Sequence, residues 1–332
     1  MKYVLTDNTR VYKGITLHQI KALKDILTPT MIVKAGDLGG WVEHTGNLSQ
    51  KGNSWLHPNA SAYQQARVFD NAQLLDFGSA YGNAHVFGNA MVQNHACIYD
   101  HAKISDQAIA GDYSSIGGYS TVSGSSTVMG YSVILDHARV LDHACITHYA
   151  KIRGYAEIGG YACIGGHANI SEYCTIHGSA VVLDYVECYG NTLIHENASI
   201  GGYVKIYGQA EVRGSVQIGG DVHVYDYAVI EGNVKLNGSV RISLHANISG
   251  EAMLSGMVNI QSSGSYMVLG PLLGNHYLTT YRGLKDRFVE MPGYLGTLEE
   301  FSLKVRNGLL DQSMLPYVSM LELLDHGQKL AG

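Results

Sequence analysis

The segment ILDHARVLDHACITHYA brings three histidines together, His137, His143 and His148. An imidazole gains and loses a proton near neutral pH, which suits general acid–base catalysis. His148 occupies a position that is Gly, Asp or Asn in most copies of an internal repeat, and Glu172 and Glu196 break the same rule. A carboxylate could orient a base or bind a substrate hydroxyl group. We therefore take His148, Glu172 and Glu196 as candidate catalytic residues. A tolerated corner histidine and two solvated carboxylates remain the alternative.

The repeat has a period of six residues. From Val68 to Ile260 every sixth residue is apolar, in 33 hexads without an insertion: 18 Ile, 9 Val, 3 Leu, 2 Ala and 1 Cys. The residue two places earlier is always small, and the third hexad position is Gly, Asp or Asn in 28 of the 33 hexads. Strand alternation directs the small and aliphatic residues inward, and the third position suits a tight left-handed corner. The sequence predicts an all-β parallel solenoid.

This pattern resembles the hexapeptide repeat of the LpxA-like trimeric acyltransferases, in hexads such as IGGHAN (164–169). The resemblance covers about 200 residues. It implies a left-handed parallel β-helix with three hexads per coil, about 11 coils and a homotrimer. The segments KAGDLGGWVEH and NLSQKGNSWLHPNA further resemble the YdcK-type solenoids of enterobacteria and prophages, which are classed as acetyltransferases by fold analogy.

Three hexads per coil place residues 18 apart on adjacent coils, about 4.8 Å from each other. The fourth hexad position then forms aromatic rows at the coil corners. One row is His95, Tyr113, Tyr131, Tyr149, His167, Tyr185 and Tyr203, and another is His101, Tyr119, His137, Tyr155 and Tyr173. Stacked rings could stabilise the corners, or form a binding surface for a carbohydrate, a base or a protein.

The candidate substrate-binding residues come from these rows and from the neighbourhood of His148. They are His137, His143, Tyr131, Tyr149, His167, Gly130 and Gly166. The two glycines stack on His148 and leave room for a substrate beside it. His137 and His143 fall on different corners, so we expect no zinc site, which needs converging imidazoles.

The resemblance implies transfer of an acyl group, from acetyl-CoA or another acyl-CoA, to a hydroxyl or amine of a small-molecule or carbohydrate acceptor. His148 would be the base, because the catalytic histidine of the UDP-N-acetylglucosamine acyltransferases has the same hexad phase. Two features depart from that family. No excursion loop interrupts the hexads, and Lys103, Arg139, Lys151 and Arg153 are scattered along them. The alternative is a non-catalytic binding or scaffold protein of phage or prophage origin that uses its exposed Tyr and His rows.

Composition excludes several classes of function. A net charge of −6 provides no basic surface for nucleic acid or for anionic membranes. No signal segment or long apolar run is present, so we expect a cytoplasmic protein. Five cysteines, an odd number, indicate reduced thiols. Cys145 and Cys163 are 18 residues apart and should be outward neighbours within disulfide reach.

The sequence divides into three predicted segments. Residues 1–55 lack the hexad and form an N-terminal β cap, residues 56–265 form the solenoid, and residues 266–332 form a C-terminal cap of strands and a helical hairpin. Thr297 and Glu300 have the spacing of a capping box at the start of a helix. Such caps cover the apolar ends of a solenoid.

Overall fold

The computed structural model describes residues 1–272, 276–283 and 286–331. They separate into two compact units, Met1–Asn191 and Thr192–Gly332. The predicted fold class is confirmed, because the protein is an almost all-β parallel solenoid of about 12 turns with a pair of helices near its C-terminus. The count exceeds the expected 11 because the hexads that begin at Leu56 and Ala62 also form strands. Residue 332, the last of the predicted C-terminal cap, lies outside the described residues.

In unit 1 the coils have three faces, named I, II and III in chain order, each made of parallel two-residue strands. Face I contains Trp55–Leu56, Gln73–Leu74, Met91–Val92, Ile109–Ala110, Thr127–Val128, Cys145–Ile146, Cys163–Ile164 and Val181–Val182. Face II contains Ser61–Ala62, Ser79–Ala80, Cys97–Ile98, Ser115–Ile116, Val133–Ile134, Lys151–Ile152, Asn169–Ile170 and Glu187–Cys188. Face III contains Arg67–Val68, His85–Val86, Lys103–Ile104, Thr121–Val122, Arg139–Val140, Glu157–Ile158 and Thr175–Ile176.

Each strand alternates as the hexad predicts. Around Cys145–Ile146, Ala144 and Ile146 are completely buried, while Cys145 and Thr147 point outward and are partly exposed. The Cys145 amide donates to the carbonyl of Ala162 on the next coil at 2.9 Å. Pairing of this kind satisfies the backbone N–H and C=O groups of each strand on the neighbouring coils. The inward aliphatic side chains supply the buried apolar surface.

The corners explain the Gly and Asp preference. Asp136 has φ 59° and its Oδ2 accepts a hydrogen bond from the amide of Gly154, 18 residues later, at 3.0 Å. Gly154 itself has φ 66°, and a Cβ there would lie 2.6 Å from the amide nitrogen of Glu172. A carboxylate on one coil therefore binds the amide of the next corner, and that next corner has no space for a side chain.

The N-terminal segment is an antiparallel sheet joined to face II. Its strands are Tyr3–Tyr12, Ile15–Ala22 and Leu38–Val42, with a small hairpin of Ile26–Leu27 and Ile32–Val33. Leu38–Val42 pairs in parallel with Ser61–Ala62, so the sheet continues into the first coils. Trp55 holds the outward position of its strand and is only 1% exposed, because its ring lies beside Gly39 of this sheet.

Unit 2 continues the repeat and ends in a mixed cap. Its parallel strands are Leu193–Ile194, Ser199–Ile200, Lys205–Ile206, Glu211–Val212, Gln217–Ile218, His223–Val224, Val229–Ile230, Lys235–Leu236, Ser239–Ile242, Asn247–Ile248, Met253–Leu254 and Met257–Ile260. An antiparallel sheet follows, with strands Tyr266–Leu272, His276–Arg282, Arg287–Met291 and Tyr294–Thr297. Two short 3-10 helices span Ser263–Ser265 and Gln312–Met314.

The two α-helices pack on this antiparallel sheet. Helix α1 spans Leu298–Arg306 and helix α2 spans Leu315–Ala331. The predicted capping box is confirmed, since the Glu300 amide donates to Thr297 Oγ1 at 3.2 Å and the Thr297 amide donates to Glu300 Oε2 at 2.9 Å. Within the described part of the chain, neither helix has the length and apolar character needed to cross a membrane.

The expectation that every cysteine is a reduced thiol is wrong for one pair. Cys174 and Cys188 form a disulfide in the interior of unit 1, whereas Cys97, Cys145 and Cys163 are thiols. The 18-residue spacing relates residues of one row on neighbouring coils. The bonded pair instead consists of two inward residues, on different faces, that meet across the core.

Candidate functional site

His148 lies at the corner that follows face I. Its φ is 59°, and its side chain is exposed. Its Nδ1 lies 3.0 Å from Thr147 Oγ1. When Nδ1 carries the proton and donates it to this hydroxyl, Nε2 has a free lone pair and can accept a proton. The corner therefore presents an accessible imidazole whose ring is held by one hydrogen bond.

The glycines that stack on His148 are required by the backbone of the corner. Gly130 and Gly166 have φ values of 72° and 63°. A Cβ on Gly130 would lie 2.7 Å from the His148 amide nitrogen, so no side chain fits there. Gly165 also lies beside the imidazole, because a Cβ there would lie 3.3 Å from His148 Nδ1 and 3.0 Å from Thr147 Oγ1. The repeat pattern does not single out this glycine, because it is not at a corner position.

The two candidate glutamates are not brought to His148 in unit 1. Glu172 Oε2 accepts from the Gly190 amide at 2.9 Å, which is the same bond that corner aspartates make. Glu196 belongs to unit 2, where its φ is 59° and its Oε1 lies 3.9 Å from His195 Nδ1. Glu172 therefore has a structural partner that accounts for its place in the repeat.

His137 and His143 lie at two other corners of the same coil. The His137 ring stacks between Tyr119 and Tyr155, at centroid distances of 5.2 and 4.8 Å. His143 stacks on Tyr161 at 4.7 Å. The three histidines of the segment thus point away from a common centre. Among the described residues, no group of three or more His, Cys, Asp or Glu side chains is placed to hold a metal ion.

A continuous stack of seven rings follows the corner between faces I and II, and we call it the ring ladder. Its rings are Phe77, His95, Tyr113, Tyr131, Tyr149, His167 and Tyr185. Centroids are 4.8 to 5.3 Å apart and interplanar angles do not exceed 6°. The predicted row is confirmed from His95 to Tyr185, and Phe77 is a further member. Because neighbouring rings cover each other's faces, the ladder presents ring edges and hydroxyl groups to solvent.

A shallow groove of about 390 Å³ runs beside the ring ladder on face II. Its walls are Tyr131, Tyr149, Lys151, Arg153, His167, Asn169 and Tyr185. Lys151 and Arg153 are both exposed, and Lys151 is the strand partner of Asn169. Asn169 Oδ1 is buried and has no hydrogen-bond partner among the described residues. The groove therefore offers two cations next to aromatic edges.

The groove brings together cations that the sequence shows as scattered. Lys151 and Arg153 lie with the predicted substrate-binding residues Tyr131, Tyr149 and His167. Arg139 lies on face III instead and pairs with Glu157 at 2.6 Å. Spacing by 18 residues identifies neighbours along one row. It does not identify residues that meet around a corner, as Tyr149 and Lys151 do.

Comparison with known proteins finds neither a matching family model nor a matching curated protein. Similar solved structures include LpxA from Acinetobacter baumannii, 19% identical, with a TM-score of 0.37 over 57% of this chain and 72% of that one. UDP-N-acetylglucosamine acyltransferase from Campylobacter jejuni is 20% identical, with a TM-score of 0.32 over 57% and 73%. The Francisella novicida enzyme of that name is 27% identical, with a TM-score of 0.24 over 48% and 61%. Similarities at these TM-scores carry no functional assignment, which therefore depends on the site.

Proposed function

We propose that this protein is an acyltransferase that uses acetyl-CoA or another acyl-CoA as donor and a hydroxyl or amine as acceptor. The observation that carries the proposal is the groove, which joins two cations to aromatic edges immediately after the corner that presents His148.

Lys151 and Arg153 supply the positive charge that the donor's phosphates require. A guanidinium donates to phosphate oxygens in a fixed fork, and an ammonium acts as a mobile point charge. The ring edges and hydroxyls of Tyr149 and Tyr185 border the same space. The groove thus matches a ligand that carries phosphates and an aromatic base.

His148 is the proposed general base. With its Nδ1 proton donated to Thr147 Oγ1, Nε2 takes the proton that the acceptor loses as it attacks the thioester carbonyl carbon. A C–O or C–N bond forms, the C–S bond breaks, and the thiol departs with a proton. Glu172 accepts from the Gly190 amide instead, so Thr147 is the group that orients the ring.

We also propose that the protein is a cytoplasmic homotrimer. His148 and the groove both lie on the outer surface of unit 1. A neighbouring copy packed against the corner between faces I and II would enclose the reacting groups and exclude water. Analytical ultracentrifugation tests this expectation by measuring the mass of the assembly.

The test of the proposed function is a screen for CoA release from acetyl-CoA with a panel of amines, amino sugars and sugar alcohols. We expect His148→Asn to lower kcat at least 100-fold, because Asn tolerates the left-handed corner, as Asn94 does at φ 55°, but cannot act as a base. Lys151→Ala should raise the donor KM. Lys103→Ala is the matched control, since Lys103 is an exposed lysine in the same hexad phase on face III. Unchanged turnover in His148→Asn would remove the base assignment.

A second candidate function is carbohydrate binding without chemistry. The observation that favours it is the ring ladder, whose hydroxyls and ring edges repeat about every 5 Å along the coils. An extended polysaccharide could bridge several of these groups at once. Binding of the protein to a glycan array, together with no turnover of acetyl-CoA and no change in stability when it is added, would favour this function.

A further inference from the structure

Cys145 and Cys163 form a pair of outward thiols on face I. They are directly opposite one another in neighbouring parallel strands. Both are thiols and both are partly exposed, so they are accessible to a small solute. Cys97 is also an outward thiol of the same hexad phase, but it lies on face II and its strand partners there are Ser79 and Ser115.

The spacing of the pair matches a specific coordination geometry. Paired residues on neighbouring strands are about 4.8 Å apart, and their side chains leave the sheet in the same direction. A zinc–thiolate bond is about 2.3 Å long, and two metal–thiolate bonds of about this length in line span about 4.6 Å. Soft thiolate ligands select soft cations, of which Cu(I) is the physiological example.

The surroundings of the pair favour a soft cation over a hard one. The strands on either side contribute Thr127 and Val181 at the same hexad position, and Thr147 and Gly165 follow the two cysteines. None of these side chains is charged or titratable. A cation bound here would therefore rely on the two sulfurs, which a hard oxygen-seeking ion does not favour.

We propose that Cys145 and Cys163 form a two-coordinate thiolate site for a soft monovalent cation of the Cu(I) type. On binding, both thiols lose a proton to solvent and two metal–sulfur bonds form, with no change in the oxidation state of the metal or the sulfur. The site is independent of the proposed acyl transfer, and it lies on the two strands that lead to His148 and to Gly166.

The test is a competition titration of the full chain with Cu(I) under anaerobic conditions. Ascorbate keeps copper reduced and leaves the Cys174–Cys188 disulfide intact. Cu(I) is supplied as its coloured complex with bathocuproine disulfonate, so loss of colour reports transfer to the protein. We expect one equivalent per chain and a thiolate-to-copper charge-transfer band in the ultraviolet.

Single variants distinguish the pair from other thiols. Cys145→Ser and Cys163→Ser should each weaken binding at least tenfold, whereas Cys97→Ser should bind as the wild type does. Thermal unfolding of each variant confirms that it is folded. Retention of Cu(I) by Cys145→Ser, or equal loss in all three variants, would overturn the proposal. So would a count of one reactive thiol before copper is added, because the pair would then be a disulfide.

Discussion

Individual residues at the corners limit what the repeat tolerates. Every third hexad position from Asp70 to Gly256 has a positive φ. Stacked corners approach so closely that a side chain fits only on alternate coils in the Asp136–Gly154 part of unit 1. Asp136 and Glu172 use their carboxylates to bind the amide of the next corner. Gly, Asp and Asn are therefore favoured at the corners for two reasons. They adopt a positive φ at low cost, and they suit the close contact between stacked corners.

Two glycine variants separate these reasons. Gly14 has φ 79°, and a Cβ added there would have nothing within 4 Å, so Gly14→Ala should cost only the left-handed strain, roughly 1–2 kcal/mol. Gly154→Ala adds a 2.6 Å collision with the amide of Glu172 and should lower the free energy of unfolding further. Urea denaturation measures both. Equal losses would show that contact between coils contributes nothing at this corner.

The buried amine of Lys2 makes stability depend on pH. Its side chain donates to Ser54 O at 2.7 Å, and burial, with a smaller effect of Lys24, lowers its pKa to about 8. Between pH 8 and 10.5 the unfolded chain binds more protons at this group than the folded chain does, so the free energy of unfolding rises with pH. One proton contributes at most about 1.4 kcal/mol per pH unit.

Urea unfolding of the wild type and of Lys2→Met at about pH 8 and about pH 9.5 tests this dependence. The range ends there because burial raises the pKa of Tyr3 to about 12, which acts in the opposite direction once unfolded tyrosines ionise. We expect the rise in the wild type to be larger than in Lys2→Met. An identical slope in both proteins would show that Lys2 is solvated.

At the scale of elements, the ring ladder is a structural feature as well as a candidate binding surface. Tyr149 stacks on Tyr131 at 5.3 Å and on His167 at 4.9 Å, although it is 48% exposed. Offset or stacked pairs stabilise by about 0.5–1.5 kcal/mol beyond area burial. The ladder therefore supports the corner between faces I and II, the same corner that presents His148.

Tyr149→Ala should be more destabilising than Tyr161→Ala. The first removes two ring contacts in the middle of the ladder, and the second removes the contact with His143 at 4.7 Å at the third corner. In urea denaturation we expect the free energy of unfolding to fall by roughly 1–3 kcal/mol in Tyr149→Ala and by about 1 kcal/mol in Tyr161→Ala. A smaller loss for Tyr149→Ala than for Tyr161→Ala would show that the ladder does not stabilise its corner.

At the scale of the whole molecule, the hexad predicts what repeats. It places the inward column, the left-handed corners and the aromatic rows, because each depends on spacing along one row. The hexad does not predict the Cys174–Cys188 disulfide or the groove with Lys151, since both join residues of different rows. The hexad does not predict that Gly165 lies beside the imidazole of His148, because this depends on where the His148 side chain is placed. The handedness of the coils and the trimer remain predictions from the resemblance.

The central claim is that the groove along the ring ladder binds an acyl-CoA. Thermal unfolding of the wild type, Lys151→Ala and Lys103→Ala over a titration with acetyl-CoA tests it most directly. A ligand at about 100 times its Kd adds about 2.7 kcal/mol of stability. We predict a saturable rise in Tm that falls with added salt, is lost or reduced in Lys151→Ala and is kept in Lys103→Ala. No rise up to millimolar acetyl-CoA, or the same rise in all three proteins, would contradict it.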